Sequence, residues 1–298
     1  MTAFAASGWE VIGIDVRRPP NEQRGLHWIE GDITSDKTLE RIRGQVGDEL
    51  DALAHCAAVQ IDAPLQETSI EDWNRSLKVN LTAAFLLSKT LVDPLAARQG
   101  AIVMIGSVHG VATSRNAFPY AVSKAALQGL TRSIALEIAP LRVRCNSVLL
   151  GAVDTPMLRE GLSRQGISPE LAFESLRART PLGFIAEPKD IARRILHLAN
   201  SESPYMTGQS VIIDGGLRYN FRPRRDERGH LCRHPKSPRR RPHQLEGSER
   251  AGLSRHPRRR NPHRRLGRQS SRDHANARAG GLHLRAGRRE PDRGMPIG

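Results

Sequence analysis

The sequence predicts an α/β fold built on a doubly wound parallel sheet. Three observations carry that reading. Short apolar runs alternate with longer amphipathic stretches between residues 10 and 213. The runs are nearly continuous in apolar residues, as strands buried on both faces are. The intervening stretches are long enough for helical crossovers, which connect parallel strands with a right-handed turn.

Taken in order, residues 1–7 (MTAFAAS) read as the end of a helix, with Gly8 as its C-cap. Residues 10–15 (EVIGID) form a strand that ends on an acid, and Leu26–Glu30 form a second, followed by Gly31-Asp32. Residues 38–46 are helical, 53–59 a third strand, 70–91 one long helix and 101–105 (AIVMI) a fourth strand. A helix over 120–138 is opened by Pro119, a residue suited to the first turn. Residues 143–150 and Ser210–Ile213 complete the strands, with a helix over 190–199 between them. A doubly wound fold is expected to open with a strand and a Gly-rich turn before its first helix. Neither is found in this sequence, so the sheet is expected to lack its first strand.

Charge divides the chain. Residues 1–219 carry 23 Lys and Arg against 24 Asp and Glu, whereas residues 220–298 carry 23 against 7. Apolar residues make up roughly 45% of the first segment and about 19% of the second. The first can bury a core; a segment as apolar-poor and Arg-rich as the second cannot offset the entropy of ordering it. The expected organisation is one domain over 1–219 and a disordered Arg/Pro/Gly/His-rich tail over 220–298. No run approaches 18 apolar residues, so no membrane-spanning helix is expected. The N-terminus lacks the charged start and apolar core of a signal peptide. Cys56, Cys145 and Cys232 form no CxxC pair, which predicts neither a disulfide framework nor a metal site. A cytoplasmic location is the expectation that follows.

Tyr120 and Lys124 stand four apart in a helical stretch and so share one face. A phenol, with a pKa of about 10, is a poor base at neutral pH, and a nearby ammonium favours its ionised form. By themselves the two residues read equally as a surface tyrosine and a solvated lysine. Ser107 follows the fourth strand, at the carboxyl edge where ligands sit in this architecture, and its hydroxyl can donate to a substrate oxygen that gains charge. Asn80 interrupts a helix interior, where asparagine is a poor former. Asp15, at the end of its strand, is placed to accept from ribose hydroxyls and to repel a 2′-phosphate, although Arg17 and Arg18 follow it.

In these contexts Asn80, Ser107, Tyr120 and Lys124 resemble the catalytic tetrad of the short-chain dehydrogenase/reductase family, over about residues 3–218. Further segments agree. Asp32-Ile33 resembles the pair that contacts adenine, and Val79-Asn80-Leu81 the VNL motif. Gly151-Ala152-Val153-Asp154-Thr155 resembles the segment that touches the nicotinamide carboxamide. Glu187-Pro188 through Ala192 resembles the EPxDIA helix start, and Asp214-Gly215-Gly216 the closing turn. The resemblance implies a Rossmann-like fold that moves a hydride between a nicotinamide cofactor and an alcohol or ketone. In it Tyr120 is the acid/base, Lys124 tunes it and holds the nicotinamide ribose, Ser107 fixes the substrate oxygen and Asn80 holds a relay water. Asp15, Asp32, Ile33, Ala57, Tyr120, Lys124, Val153 and Thr155 are the implied cofactor contacts. The acid at Asp15 favours NAD over NADP. The family's pairing of helices implies a homodimer or tetramer through small residues such as Ala121, Ala125, Ala126 and Ala135.

Two departures stand beside these matches. The family's TGxxxGxG turn is missing, and its NNAG segment is here His55-Cys56-Ala57-Ala58, with alanine in place of the glycine. The segment between Pro156 and Pro188 resembles a lid. Its Met157, Leu158, Leu162, Leu171 and Phe173 suggest a partly apolar pocket, with no evident charged anchor. Two other readings remain open. Arg239-Arg240-Arg241 and Arg258-Arg259-Arg260 would bind nucleic-acid phosphates without sequence preference, but the tail lacks interleaved aromatics. Its 22 Arg against one Lys also match an out-of-frame reading of a GC-rich gene, in which case the chain is an inactive, truncated product.

Overall fold

The computed structural model describes residues 1–18, 26–164, 168–200, 202–220 and 282–285. The basic runs of the tail and Cys232 lie outside the described residues. In chain order the elements are α1 (Thr2–Ala6), β1 (Val11–Asp15), β2 (Leu26–Glu30), α2 (Asp36–Val46), β3 (Ala52–His55), α3 (Ile70–Leu77), α4 (Ala83–Ala97), β4 (Ala101–Ser107), α5 (Phe118–Ile138), β5 (Arg144–Leu150), α6 (Pro156–Ser163), α7 (Pro169–Arg179), α8 (Pro188–Ala199), β6 (Ser210–Ile213) and β7 (Leu282–Arg285). The strands form one sheet in the order β2-β1-β7-β3-β4-β5-β6. Every pairing is parallel except those of β7, which runs antiparallel to both neighbours.

The apolar strand runs bury both faces, as doubly covered parallel strands must. On one face Leu53, Ile102 and Met104 pack against Ile42 of α2, Leu87 and Leu91 of α4 and Leu127 of α5. On the other, Ala54, Val103 and Val148 pack under Phe4 of α1 and Ile191, Ile195 and Leu198 of α8. Gly8 ends α1 at φ +76°, a conformation that L side chains resist, and lets Trp9 fold back edge-on to Phe4 at 5.2 Å. Arg144, 9% exposed, donates to the carbonyls of Leu198 (3.0 Å) and Asn200 (2.7 Å), so the end of α8 is satisfied from the sheet.

Two elements differ from expectation in ways that shape the site. The helix expected over 70–91 is broken into α3 and α4 by a π-turn, Lys78–Thr82, that carries Asn80. The extra residue rotates the following turn, an arrangement common at functional sites. β4 reaches Ser107, two residues beyond the expected strand, because Gly106 and Ser107 pair with Leu149 and Leu150.

The third difference concerns the gap expected between β1 and β3. Chain order reverses there: β1 and β2 lie to one side and β3 to β6 to the other. Leu282–Arg285, from the tail placed outside the domain by composition, spans that position. Leu282 pairs with both Ile14 and His55, and Leu284 with Ile12 and Leu53. The physical reason is the ladder itself, since two strands facing across an empty slot would leave rows of backbone donors and acceptors unpaired. A chain ending at Asn220 removes β7 and should melt roughly 5–10 °C lower than the full chain, on the scale of about 2–3 kcal/mol for a domain of this size. Equal melting temperatures by calorimetry would show that this pairing contributes nothing.

Candidate active site

Three elements bring the expected catalytic residues together. α5 carries Tyr120 and Lys124 one turn apart, with Lys124 Nζ 5.8 Å from the centre of the Tyr120 ring. β4 ends at Ser107, and the turn after it lies flat on α5. A Cβ on Gly110 would stand 2.8 Å from the carbonyl oxygen of Lys124, so only glycine permits this approach. Gln128 fastens the same turn by donating to Gly110 O at 3.0 Å. The consequence is that the Ser107 hydroxyl lies close enough to the Tyr120 phenol to pull its pKa down. Ser107 Oγ also accepts from the backbone N–H of His109 at 3.2 Å.

Asn80 is fully buried and joins this group from the π-turn. Its Nδ2 donates to Val59 O (3.0 Å) and Ser123 Oγ (2.9 Å), and its Oδ1 accepts from Val59 N (2.7 Å). Ser123 Oγ in turn donates to Tyr120 O at 2.7 Å. Both amide hydrogens of Asn80 are thus engaged with protein groups, which leaves one acceptor lone pair for the water that the resemblance implied.

Burial sets the protonation states. The Tyr120 phenol is pushed up to about 12, mainly by burial; the Ser107 hydrogen bond pulls it back and the nearby Asp62 charge pushes it further. The Lys124 ammonium is pushed down to about 8 by burial, against a smaller opposing effect of Cys56. It keeps one protein acceptor, Ile105 O at 2.8 Å, so two of its hydrogens point to other partners. The lowering expected of the lysine is not what the phenol shows: it stands above its ordinary value, with burial the main cause.

The expected cofactor residues fall into two groups. Asp15, Asp32, Ile33 and Ala57 line one cavity of about 400 Å³ at the carboxyl edge of β1, β2 and β3. Asp15 accepts from Arg17 N at 3.2 Å, and burial raises its pKa. Asp32 is held by Thr34 through N and Oγ1, both at 2.8 Å. The same cavity is lined by Arg75 and Lys78, which sequence reasoning passed over; their three-residue spacing shortly before Asn80 was the available signal. Val153 and Thr155 follow β5 at the same edge. Val153 bridges Ala186, and Thr155 Oγ1 caps α6 by accepting from Leu158 N at 3.2 Å.

These residues fit a nicotinamide dinucleotide at its two ends. The cavity offers a carboxylate to ribose hydroxyls and an apolar wall, Ile33 and Val59, to a base. Lys124 offers two uncommitted hydrogens beside Tyr120. Among the described residues no Gly-rich turn supplies backbone donors to a pyrophosphate, and Arg75 and Lys78 are the cationic groups on the cavity wall.

The lid departs from expectation. Leu158, Leu162, Phe173 and Leu176 pack with one another in a small core of their own, while Leu171 is exposed. Arg159 lies 4.8 Å from the Phe173 ring and forms a two-pronged pair with Asp154 at 2.7 and 2.6 Å. Most of the apolar residues expected to line a pocket are therefore consumed in holding α6 to α7.

Comparison with known proteins agrees with this geometry. The family described as Enoyl-(Acyl carrier protein) reductase matches residues 2–218. A cyclopentanol dehydrogenase from Comamonas testosteroni is 31% identical over 199 residues, covering 65% of this chain and 77% of the relative. Dehydrogenase/reductase SDR family member 6 from Xenopus laevis is 32% identical over 220 residues, covering 72% and 89%. The ligand-free aldohexose dehydrogenase of Thermoplasma acidophilum superposes with a TM-score of 0.69 at 28% identity, covering 72% of this chain and 87% of that one.

His55, where the resemblance implied an asparagine, is fully buried, and among the described residues neither ring nitrogen has a hydrogen-bond partner. Burial, and secondarily the Lys124 charge, lower its pKa from 6.5 to about 3. Its folded-state pKa is below its unfolded one, so the unfolded chain binds the proton first as pH falls. The native state should therefore lose several kcal/mol between about pH 6.5 and 3 from this residue. Urea denaturation at pH 7 and pH 4.5 should show a smaller loss in His55→Leu than in the parent; equal losses would refute the assignment.

Proposed function

We propose that this chain, which belongs to the short-chain dehydrogenase/reductase family, interconverts an alcohol and a ketone through Tyr120, with NAD as the preferred cofactor. The observation that carries the reading is the meeting of three groups: the Tyr120 phenol, the Ser107 hydroxyl that lowers its pKa, and the Lys124 ammonium 5.8 Å from the ring centre. A bound nicotinamide supplies the hydride acceptor or donor.

In the oxidation direction Ser107 Oγ donates to the substrate oxygen and holds it against Tyr120. Tyr120 Oη takes the proton of that hydroxyl, and in reduction returns it. A phenol near 12 is a weak acid, so the work of Lys124 is to favour the phenolate while the proton is in transit. With its own pKa near 8, Lys124 is the member of the pair that titrates close to neutrality. Asn80 acts here as a positioning residue, tying Val59 at the cofactor edge to Ser123 and the Tyr120 turn. On the outer faces, Phe85 of α4 and Leu136 of α5 are exposed at 46% and 78%, and we read these helices as the contact between subunits.

The preference for NAD rests on Asp15, whose carboxylate stands at the cavity where a ribose 2′-phosphate would bring like charge. Arg75 and Lys78 line the same cavity and suit the phosphates common to both cofactors.

Tyr120→Phe removes only the proton-carrying oxygen. It should lower kcat by about three orders of magnitude or more, while near-UV circular dichroism and NADH binding by fluorescence stay near the parent. A kcat within tenfold of the parent would exclude Tyr120 as the acid/base. For cofactor choice, the ratio of kcat/KM with NAD to that with NADP should exceed one and fall about tenfold or more in Asp15→Ala. A parent that prefers NADP would show that Arg17 and Arg18 govern the choice.

A further inference from the structure

We infer that Arg75 and Lys78 carry the pyrophosphate of the bound dinucleotide on side-chain charge, in place of the backbone donors that a Gly-rich turn would supply. This rests on the nicotinamide-cofactor reading above and deepens it.

One observation is the direction of the central strand. In doubly wound sheets the phosphates lie where a strand ends at the carboxyl edge and the chain turns into a helix, whose first N–H groups point at them. Between β1 and β3 that position belongs to β7, which runs antiparallel to both. Its first residue, Leu282, stands opposite Ile14 and His55 at the carboxyl edge, and its last, Arg285, stands opposite Ala52 at the far one. The strand therefore begins where the usual one ends. No helix can leave its end beside the nucleotide cavity, and the negative charge of two phosphates has to be met by other groups.

The other observation is the set of charges on that cavity. Its charged lining residues are Asp15, Asp32, Arg75 and Lys78; Arg17 and Arg18 follow Asp15 but do not line it. Both carboxylates are already engaged. Asp15 accepts from Arg17 N at 3.2 Å, and Asp32 accepts from Thr34 N and Oγ1, both at 2.8 Å. The two cations are exposed, and among the described residues neither side chain makes a hydrogen bond or an ion pair. Helical spacing groups Asn74, Arg75, Lys78 and Val79 on one side, and all four line the cavity. Within the π-turn that starts at Lys78, Asn80 is instead buried against Val59 and Ser123. One local distortion thus leaves the cations on the cavity and sends the amide into the core. A guanidinium and an ammonium both suit phosphate oxygens, the first through parallel donors and the second as a point charge. Exposed as they are, both are weakened by salt.

Calorimetric titration of the full chain with ADP, adenosine and NADH tests this. In about 50 mM NaCl, ADP should bind at least about tenfold more tightly than adenosine, and in about 500 mM NaCl that advantage should shrink to about threefold or less. In the double variant Arg75→Gln, Lys78→Gln the advantage should be near one at both salt concentrations, with the affinity for adenosine kept within about twofold of the parent. NADH should lose about tenfold or more in the same variant. Both substitutions are at exposed positions, and the salt series on the parent is a readout that needs no variant. Adenosine bound by the parent as tightly as ADP, or an advantage of ADP that survives high salt and the double variant, would overturn the role of Arg75 and Lys78 alone. NADH that the parent does not bind at all would overturn that role together with the cofactor reading it rests on.

Discussion

The ammonium of Lys124 lies 2.8 Å from the carbonyl oxygen of Ile105, in a residue that is 2% exposed. Burying a cation is costly unless it is hydrogen-bonded, and one carbonyl cannot serve three donors. The surroundings are arranged around that fact. The acceptor comes from β4, so α5 must lie close along the strand, and the glycine at position 110 lets the turn after Ser107 approach as well. The same cation acts on buried His55, one strand away, and helps to hold it neutral. The hydrogens that Lys124 does not spend on Ile105 give the site its capacity for a polar ligand. A lysine in this position is therefore a costly burial that a β4 carbonyl offsets only in part.

How far the sequence discloses this can be judged residue by residue. The strands are legible because parallel strands buried on both faces read as apolar runs, and AIVMI or VIGID could hardly be anything else. The proposed tetrad is legible through a family resemblance, because Tyr120 and Lys124 stand one helical turn apart and Ser107 ends a buried strand. The π-turn around Asn80 is not, since one inserted residue leaves the apolar spacing of residues 70–91 almost undisturbed. The extension of β4 to Ser107 depends on register with β5, which no local pattern records. The lid residues Leu158, Leu162 and Phe173 mislead because amphipathic helices that face a ligand and those that face each other carry the same pattern. β7 is four residues in an arginine-rich stretch, and its place is set by an empty position in the sheet rather than by any propensity of its own.

The two halves of the site are joined by very few covalent neighbours. Asp15 and Asp32 follow β1 and β2 on one side of the reversal, whereas Ala57 follows β3, and Ser107, Tyr120 and Lys124 belong to β4 and α5, on the other. What ties the cavity wall to Tyr120 is a hydrogen-bonded chain from the Val59 backbone through the Asn80 amide and the Ser123 hydroxyl to the Tyr120 carbonyl. Each member is buried, so none can exchange its partner for water without loss. Positional accuracy at the phenol is in this way inherited from the segment after β3 that lines the cavity.

The position of β7 has a consequence for how the polypeptide is made. β1 and β3 are complete once the first 55 residues have left the ribosome, yet the segment that pairs with both of them lies at 282–285. At about 5–20 residues per second, the facing edges of those two strands stay open for roughly 10–50 s of synthesis. During that interval they are a template for any extended chain nearby, including a second nascent copy of the same protein. The fold closes its centre last, from its own C-terminal end, and the yield of correctly folded molecules is decided by what meets that gap first.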